Sequence, residues 1–301
     1  MIGYLKNNEI DREQWDNCIK KTHRPKPYAY SWFLDIMVPG WDALLDDDYN
    51  SVFPIPAYRK FGIQYVSTPL FLQQLGAFSP DKPGSSALSE FLDFIPEFYK
   101  HIDLCVGQEP EHKGFHITER DNLELDLSKN YDSLWENFSA DCMRNIEASQ
   151  KRKPELTNDI SADELIDLYL RNKDNFITKI KTAEIQRFKN LINFCIKNKK
   201  GKIFGVRAAH KSLIFGIFII ETHGNKTIRL IAGSPEAYKK HLGYFVINEI
   251  IRTFSTSRTT LDFAGTSVPF IESLMESFGC TDAPYFRIYR NRLFWPVRIL
   301  Q

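Results

Sequence analysis

Beyond Gly201 the spacing of apolar positions changes several times in quick succession, and each change marks an element. Residues 202–209, 213–222 and 227–232 are runs rich in β-branched and aromatic side chains. The turn formers His210-Lys211-Ser212 and His223-Gly224-Asn225 separate them, which predicts three consecutive strands joined by tight turns. Over 239–254 the period becomes three to four, with Leu242, Val246, Ile250 and Phe254 on one stripe, as an amphipathic helix requires. A short strand at 260–264, a helix at 269–278 and a last strand at 285–290 complete the series.

The middle of the chain reads as helical. Leu134, Trp135, Phe138, Met143 and Ile146 recur at helical spacing over 131–150, and Pro154 stops that segment. Ser161 and Glu164 stand in the relation of a capping box, each side chain placed to satisfy a free amide at a helix start. A third helix is expected over 183–197, with Gly201 as its C-terminal stop. The first third reads as strands at 43–46 and 51–59 around a turn at 47–50, an extended stretch at 63–71, and strands at 101–106 and 122–127. In the last of these Leu123, Leu125 and Leu127 alternate with Glu124 and Asp126, the pattern of a half-buried strand. Between them Leu88, Phe91, Leu92, Ile95 and Phe98 predict a helix, shortened by Pro96.

Composition narrows the class. A chain of 301 residues exceeds one ordinary core, and we place two domains at 1–120 and 121–301. Thirty-nine basic against 38 acidic residues leave a formal charge of +1. That balance argues against duplex DNA as a partner and gives no broad surface for RNA. The five cysteines have no metal-type spacing and read as reduced thiols. Neither a signal peptide nor a run long enough to span a bilayer stands in the sequence, so a cytoplasmic protein is expected. His112 and His116 flank Gly114 in a segment without helical pattern, so no shared metal is expected.

Four short pieces carry a resemblance: Ala232-Gly233-Ser234, Leu242-Gly243-Tyr244-Phe245, Leu261-Asp262-Phe263-Ala264-Gly265, and Phe278-Gly279-Cys280. In their order and spacing, 125–295 resembles the GNAT-like acyltransferases and, within them, the Fem-type branch. The resemblance implies an α/β (α+β) fold, a mixed sheet flanked by helices, with two tandem GNAT-like halves of which the first is degenerate. It further implies an acyl-CoA or acetyl-CoA donor lying where two strands splay apart, no metal, and a small-molecule or peptide amine as acceptor. Fem-type chains use aminoacyl-tRNA instead, and a ligand-binding scaffold that kept the fold is the third possibility. The superfamily's pyrophosphate loop runs Arg or Gln, two residues, Gly, one residue, then Gly or Ala. Here it is Lys240-His241-Leu242-Gly243-Tyr244-Phe245, with a bulky residue at the last position.

On this basis Ala232, Gly233, Ser234, Lys240, Gly243 and Tyr244 are the candidate donor-binding residues. An anion there would meet backbone N–H groups at the positive end of a helix. Asp262 is the first candidate to orient the amine or take its proton, its alternative role being to cap the following turn. Glu221 is a second base candidate. Ser267 could supply a proton to the leaving group, since no tyrosine lies between Asp262 and Phe278. Gln73 and Gln74 could read a polar substrate, and Arg144 could meet a phosphate or carboxylate.

Overall fold

The computed structural model describes residues 1–294 except 24, 47, 83, 173–179 and 266–268, and only the backbone of 269–271. The chain divides into two compact units, Met1–Asp121 together with the chain from Pro284, and Asn122–Ala283.

In the first unit β1 (Ile2–Leu5) is followed by α1 (Arg12–Lys21) and α2 (Ser31–Met37). It then pairs with β2 (Asp42–Asp46), which pairs with β3 (Val52–Ile55), giving an antiparallel three-stranded sheet. β4 (Ala57–Lys60), β5 (Ile63–Ser67), α3 (Gly84–Asp93), β6 (Tyr99–Val106) and β7 (His116–Arg120) come next. Buried Asp42 accepts from Tyr4 Oη at 2.5 Å, Tyr99 Oη at 2.8 Å, the Asn7 amide at 3.1 Å and Lys6 Nζ at 3.2 Å. Four donors make this carboxylate tolerable inside the unit and tie β2 to β1 and β6.

The second unit runs β8 (Leu123–Asp126), α4 (Tyr131–Trp135), α5 (Ala140–Gln150), β9 (Leu156–Thr157), α6 (Ala162–Asn172), α7 (Thr182–Lys197), β10 (Gly201–Arg207), β11 (Leu213–Thr222) and β12 (Asn225–Gly233). It continues with α8 (Pro235–Lys239), α9 (Leu242–Phe254), β13 (Thr260–Asp262), α10 (Pro269–Glu276) and β14 (Thr281–Asp282). Its seven strands lie in the order β14-β8-β13-β12-β11-β10-β9, and β12–β13 is the parallel pair. Along β11 the side chains alternate between two layers. Phe215 and Ile217 join the core with Val246 and Ile250 of α9, whereas Gly216 meets Leu165 of α6 and Phe218 packs edge-on against Phe188 of α7. Both faces of the sheet are covered, and for that reason β11 reads as one continuous apolar run.

The final strand, β15 (Tyr285–Asn291), lies between β6 and β7, and the first unit's larger sheet has the order β4-β5-β6-β15-β7. This corrects the assignment of 121–301 to one domain. Phe286 and Ile288 are buried in the first unit, and the Arg287 guanidinium grips Asp103 of β6 with Nε at 2.6 Å and Nη2 at 2.7 Å.

Three local expectations change as well. The helix over 131–150 is broken, and Ser139 caps its second half by accepting from the Cys142 amide at 3.1 Å. Lys199, not Gly201, adopts the left-handed conformation after α7, with φ of 55°. Gly201 already belongs to β10, where a Cβ would stand 2.6 Å from the Ile219 carbonyl oxygen. The helix over 239–254 is split at His241, which is left-handed with φ of 58°.

The Ser161–Glu164 capping box is present, with the Ser161 amide 2.9 Å from Glu164 and the Glu164 amide 3.2 Å from Ser161 Oγ. Arg207 Nη1 also reaches Glu164, at 2.5 Å, and holds its carboxyl down at about 2, below the ordinary 4.5. A carboxyl depressed by folding stabilises fully above its unfolded pKa and loses that contribution as pH falls towards the folded value. Glu164→Gln is therefore expected to cost up to about 1 kcal/mol at pH 7, limited by the exposure of the pair. The difference from the parent should shrink between pH 4.5 and 2 in urea melts; a difference that is flat with pH contradicts the assignment.

Candidate functional site

β12 is nine residues long and β13 three. They pair in parallel through Asn225–Thr260, Lys226–Leu261 and Thr227–Asp262, and then separate. From Ile228 to Gly233 the edge of β12 on that side has no strand beside it among the described residues. The departure of β13 has a local cause. Asp262 Oδ1 accepts from the Ala264 amide at 2.9 Å and from Asn122 Nδ2 at 3.1 Å, and Ala264 and Gly265 both take positive φ, 59° and 52°. Glycine takes this conformation without a Cβ penalty while Ala264 bears one, and the buried carboxylate holds the turn.

Two residues past the vertex, β12 is irregular. Ile228 pairs with Ile219 and Leu230 with Phe218, which leaves Arg229 as the extra residue of a β-bulge. A bulge takes a backbone unit out of the ladder and re-aims it. Here it falls on the strand whose neighbour has just left.

The first unit also has a parallel pair, β5–β6, but its separation is filled by its own chain. Beyond Ser67, the Thr68 amide donates to the Asp103 carbonyl at 3.0 Å. The Leu75 amide then donates to Cys105 and the Gly107 amide to Leu75, both at 2.8 Å. Gln74 and Gln73 lie in this closing segment. Both are buried, Gln74 Nε2 donating to Gln73 Oε1 at 3.1 Å and Tyr28 Oη to the same oxygen at 3.3 Å. The two amides serve the interior of the first unit.

At the far end of β12 the structure gathers Gly233, Ser234, Lys240, Gly243 and Tyr244, in a different arrangement from the expected one. Ser234 caps α8, its Oγ accepting from the Ala237 amide at 3.2 Å, while its own amide donates to Ile214 at 2.9 Å. The amides of Tyr238, Lys240 and His241 are likewise bonded, to Ser234, Glu236 and Tyr238. Lys240 is ion-paired with Glu236 one turn away, which lowers the Glu236 pKa. Gly233 is small because aromatic rings occupy its side-chain space: a Cβ would lie 2.8 Å from Tyr238 Cζ and 2.9 Å from Phe215 Cδ2. Gly243 admits Leu274 at 3.0 Å and Phe215 at 3.4 Å in the same sense. The amides of Ser234, Ala237, Tyr238, Lys240 and His241 are thus engaged within the chain, at the turn where the sequence suggests an anion cradle.

The start of α9 is different. Its N-cap, His241, makes no side-chain bond to the helix. Phe245 is buried in the core beside Leu242 and Val246, and does not cover the first turn. Tyr244 is half-buried, edge-on to His241 with ring centroids 6.2 Å apart. The α9 start stands over Phe215, whose backbone partner is Gly233, six residues along β12 from the Thr227–Asp262 pair. With the bulge discounted, five ladder positions at about 3.3 Å each put the helix start and the vertex roughly 17 Å apart.

The remaining candidates lie apart from this line. Ala232 pairs with Gly216 and shares its α6-facing side. Glu221 faces the α9 layer, across from Lys226, with Lys226 Nζ at 2.8 Å and Lys202 Nζ at 3.7 Å. Thr227 and Asp262, one register on, point to the opposite face, so the two carboxylates do not act together. Arg144 is exposed and paired with Asp141 in its own helix. Ser267 lies outside the described residues. All five cysteines are free, and burial pushes Cys18, Cys195 and Cys280 up to about 12 and Cys142 to about 11, which removes them as nucleophiles. Asn122, Arg229 and His241 escaped the sequence reading. Asn122 is identified only by its partner 140 positions away, Arg229 only by a register slip, and His241 by a backbone angle that its residue type does not announce.

A parallel pair that splays beside a bulge, with a helix opening at the far end, is a GNAT-like arrangement, and the chain has that fold as two tandem GNAT-like halves. No family model and no curated protein matches the sequence. Among solved structures it is similar to FemX, with 13% identity, TM-score 0.63 and 99% of both chains covered. It is also similar to L-PGS from Bacillus licheniformis, at 13% identity and TM-score 0.55 over 96% of this chain and 95% of that one. A tandem GNAT protein from the clavulanic acid biosynthesis pathway matches at 12% identity and TM-score 0.54 over 96% and 98%. Among the described residues no helix is long and apolar enough to cross a membrane.

The packing around Gly233 makes a direct prediction. Gly233→Ala should destabilise the fold by about 1–3 kcal/mol through overpacking. Part of that loss should disappear when the substitution is made in a Tyr238→Ala background, with Phe215 still close. Equal losses in both backgrounds, measured in urea melts, would show that the Tyr238 ring does not set the glycine.

Proposed function

We propose that the second unit transfers an acyl group from an acyl-CoA donor to an amine. The observation that carries this is the opening along β12, bounded by the Asp262 vertex and the start of α9. Its length of roughly 17 Å suits a donor whose reactive carbonyl and anionic end are separated by a long arm, rather than a compact acyl phosphate. Bound there, the donor supplies an already activated acyl carbon. The chain's own contribution is positioning and charge stabilisation.

In this reading the first turn of α9, at His241 to Tyr244, faces the donor's phosphates with the positive end of the helix. The backbone N–H groups of β12 past Thr227, with the bulge at Arg229, meet the carbonyl oxygen as charge develops on it. Asp262 acts as a positioning residue: tied to Asn122 and Ala264, it keeps the vertex open. The amine nitrogen forms the new bond to carbon as the carbon–sulfur bond breaks, and the amine proton leaves with the sulfur or to water. Ala232, Glu221, Arg144, Gln73 and Gln74 take no part in this assignment. A second reading, in which the donor is the aminoacyl ester of a tRNA, is favoured by the likeness to FemX over nearly the whole chain.

Thermal melts with acetyl-CoA, longer acyl-CoAs and aminoacyl-tRNA separate the readings. A donor at 100 times its dissociation constant adds about 2.7 kcal/mol. His241→Asp places a carboxylate at the positive end of α9, so it should leave the ligand-free melting temperature unchanged or higher while abolishing the donor-induced rise. If neither donor class raises the melting temperature of the parent chain, the transferase reading fails and a scaffold role takes its place. A rise that survives in His241→Asp moves the donor away from α9.

A further inference from the structure

Arg290, in the first unit and on β15, pairs with Ile102 on β6. Its side chain lies over the Phe115 ring, with the guanidinium carbon 4.4 Å from the ring centroid. Nε is buried and has no hydrogen-bond partner, while the two Nη atoms are not sealed in this way. Among the described residues no carboxylate lies within ion-pair distance of Arg290. Glu97, the acidic group that acts on it, is placed 3.9 Å from Arg292 and is almost fully exposed. Arg292 adds a second positive charge two residues on. The edge of Phe115 is closed by His112, with centroids 5.2 Å apart, and His112 is itself bonded to Asp93 at 2.9 Å.

A half-buried cation with a ring for its main neighbour and another cation beside it is an expensive arrangement to fold around. Burial, followed by the charge of Arg292, draws the Arg290 pKa below the ordinary arginine value. The ring beneath it restricts the guanidinium, and a planar fork with its outer nitrogens open can take two oxygens at once, the geometry in which arginine binds oxyanions best.

We propose that Arg290, seated over Phe115 and assisted by Arg292, is an oxyanion-binding subsite on the first unit, taking a carboxylate or a phosphate in bidentate fashion. It lies outside the residues assigned to the donor, and its test does not depend on the transferase reading. Isothermal titration of the full chain uses sodium phosphate in one arm and sodium acetate in the other, at ionic strength matched with chloride. One anion should bind at one per chain, and the arm that responds identifies it as phosphate or carboxylate. Arg290→Gln should weaken this binding roughly ten- to hundredfold, the loss of hydrogen bonds to a charged group, and leave any rise in melting temperature caused by acetyl-CoA unchanged. Should Arg290→Gln fold poorly, Arg290→Lys keeps the charge and removes the planar fork, and should weaken binding about tenfold. Arg292→Gln should weaken it less than either. Absence of binding in both arms, or binding in Arg290→Gln or Arg290→Lys equal to the parent, overturns the proposal: Arg290 is then an arginine whose stem covers the core while water serves its head.

Discussion

Everything proposed for the second unit depends on how long β12 and β13 stay together. Two parallel strands that separate leave a row of backbone donors and acceptors without partners, and a folded chain tolerates that only where something else can meet them. The separation is enforced by a small set of contacts. The Asp262 carboxylate binds the amide two residues ahead of it and the side chain of Asn122, and Ala264-Gly265 accepts the backbone angles that result. A longer pairing would run β13 alongside Ile228 to Gly233 and consume the edge that the proposed chemistry needs.

The two units answer the same geometric problem differently. In the first, Thr68 to Gly107 closes the parallel pair with backbone bonds and two buried glutamines. In the second, nothing among the described residues takes that place. The difference lies in the segment that follows the inner strand. After β5 the chain returns to β6, with Leu75 bridging Val106, whereas after β12 it goes directly into α8 and α9 on the α9-facing layer. The small helix α8 engages most amides of its own turn, and the Tyr238 and Phe215 rings, edge-on to each other, fill the room above Gly233. The first turn of α9 has no side-chain cap at His241, and the anion site proposed above is placed there for that reason.

Much of this fold is legible in the residues. The runs of β10 to β12, the capping box at Ser161 and Glu164, and the stripe of α9 are local patterns, and local hydrogen bonding with side-chain periodicity suffices to specify them. Phe245 shows the limit. In a motif comparison it stands where a small residue is expected and suggests an obstruction; in the fold its position on the helix stripe sends it into the core. Gly233 shows the converse, a glycine that suggests a phosphate loop and is required by two rings. In both cases residue type was visible and residue direction was not.

By itself, then, the sequence determined element types and the succession of strands and helices in the second unit, because these follow from periods of two and 3.6 and from turn chemistry carried within a few residues; the GNAT-like fold came from the resemblance of four short motifs. Tertiary structure alone decided that β15 belongs with β6, that Glu221 and Asp262 face opposite sides of the sheet, and that Asn122 serves Asp262. Each of these depends on pairing register or on a partner distant in the chain. A shift of one residue in register turns every side chain of a strand to the other face, and no local pattern fixes that register.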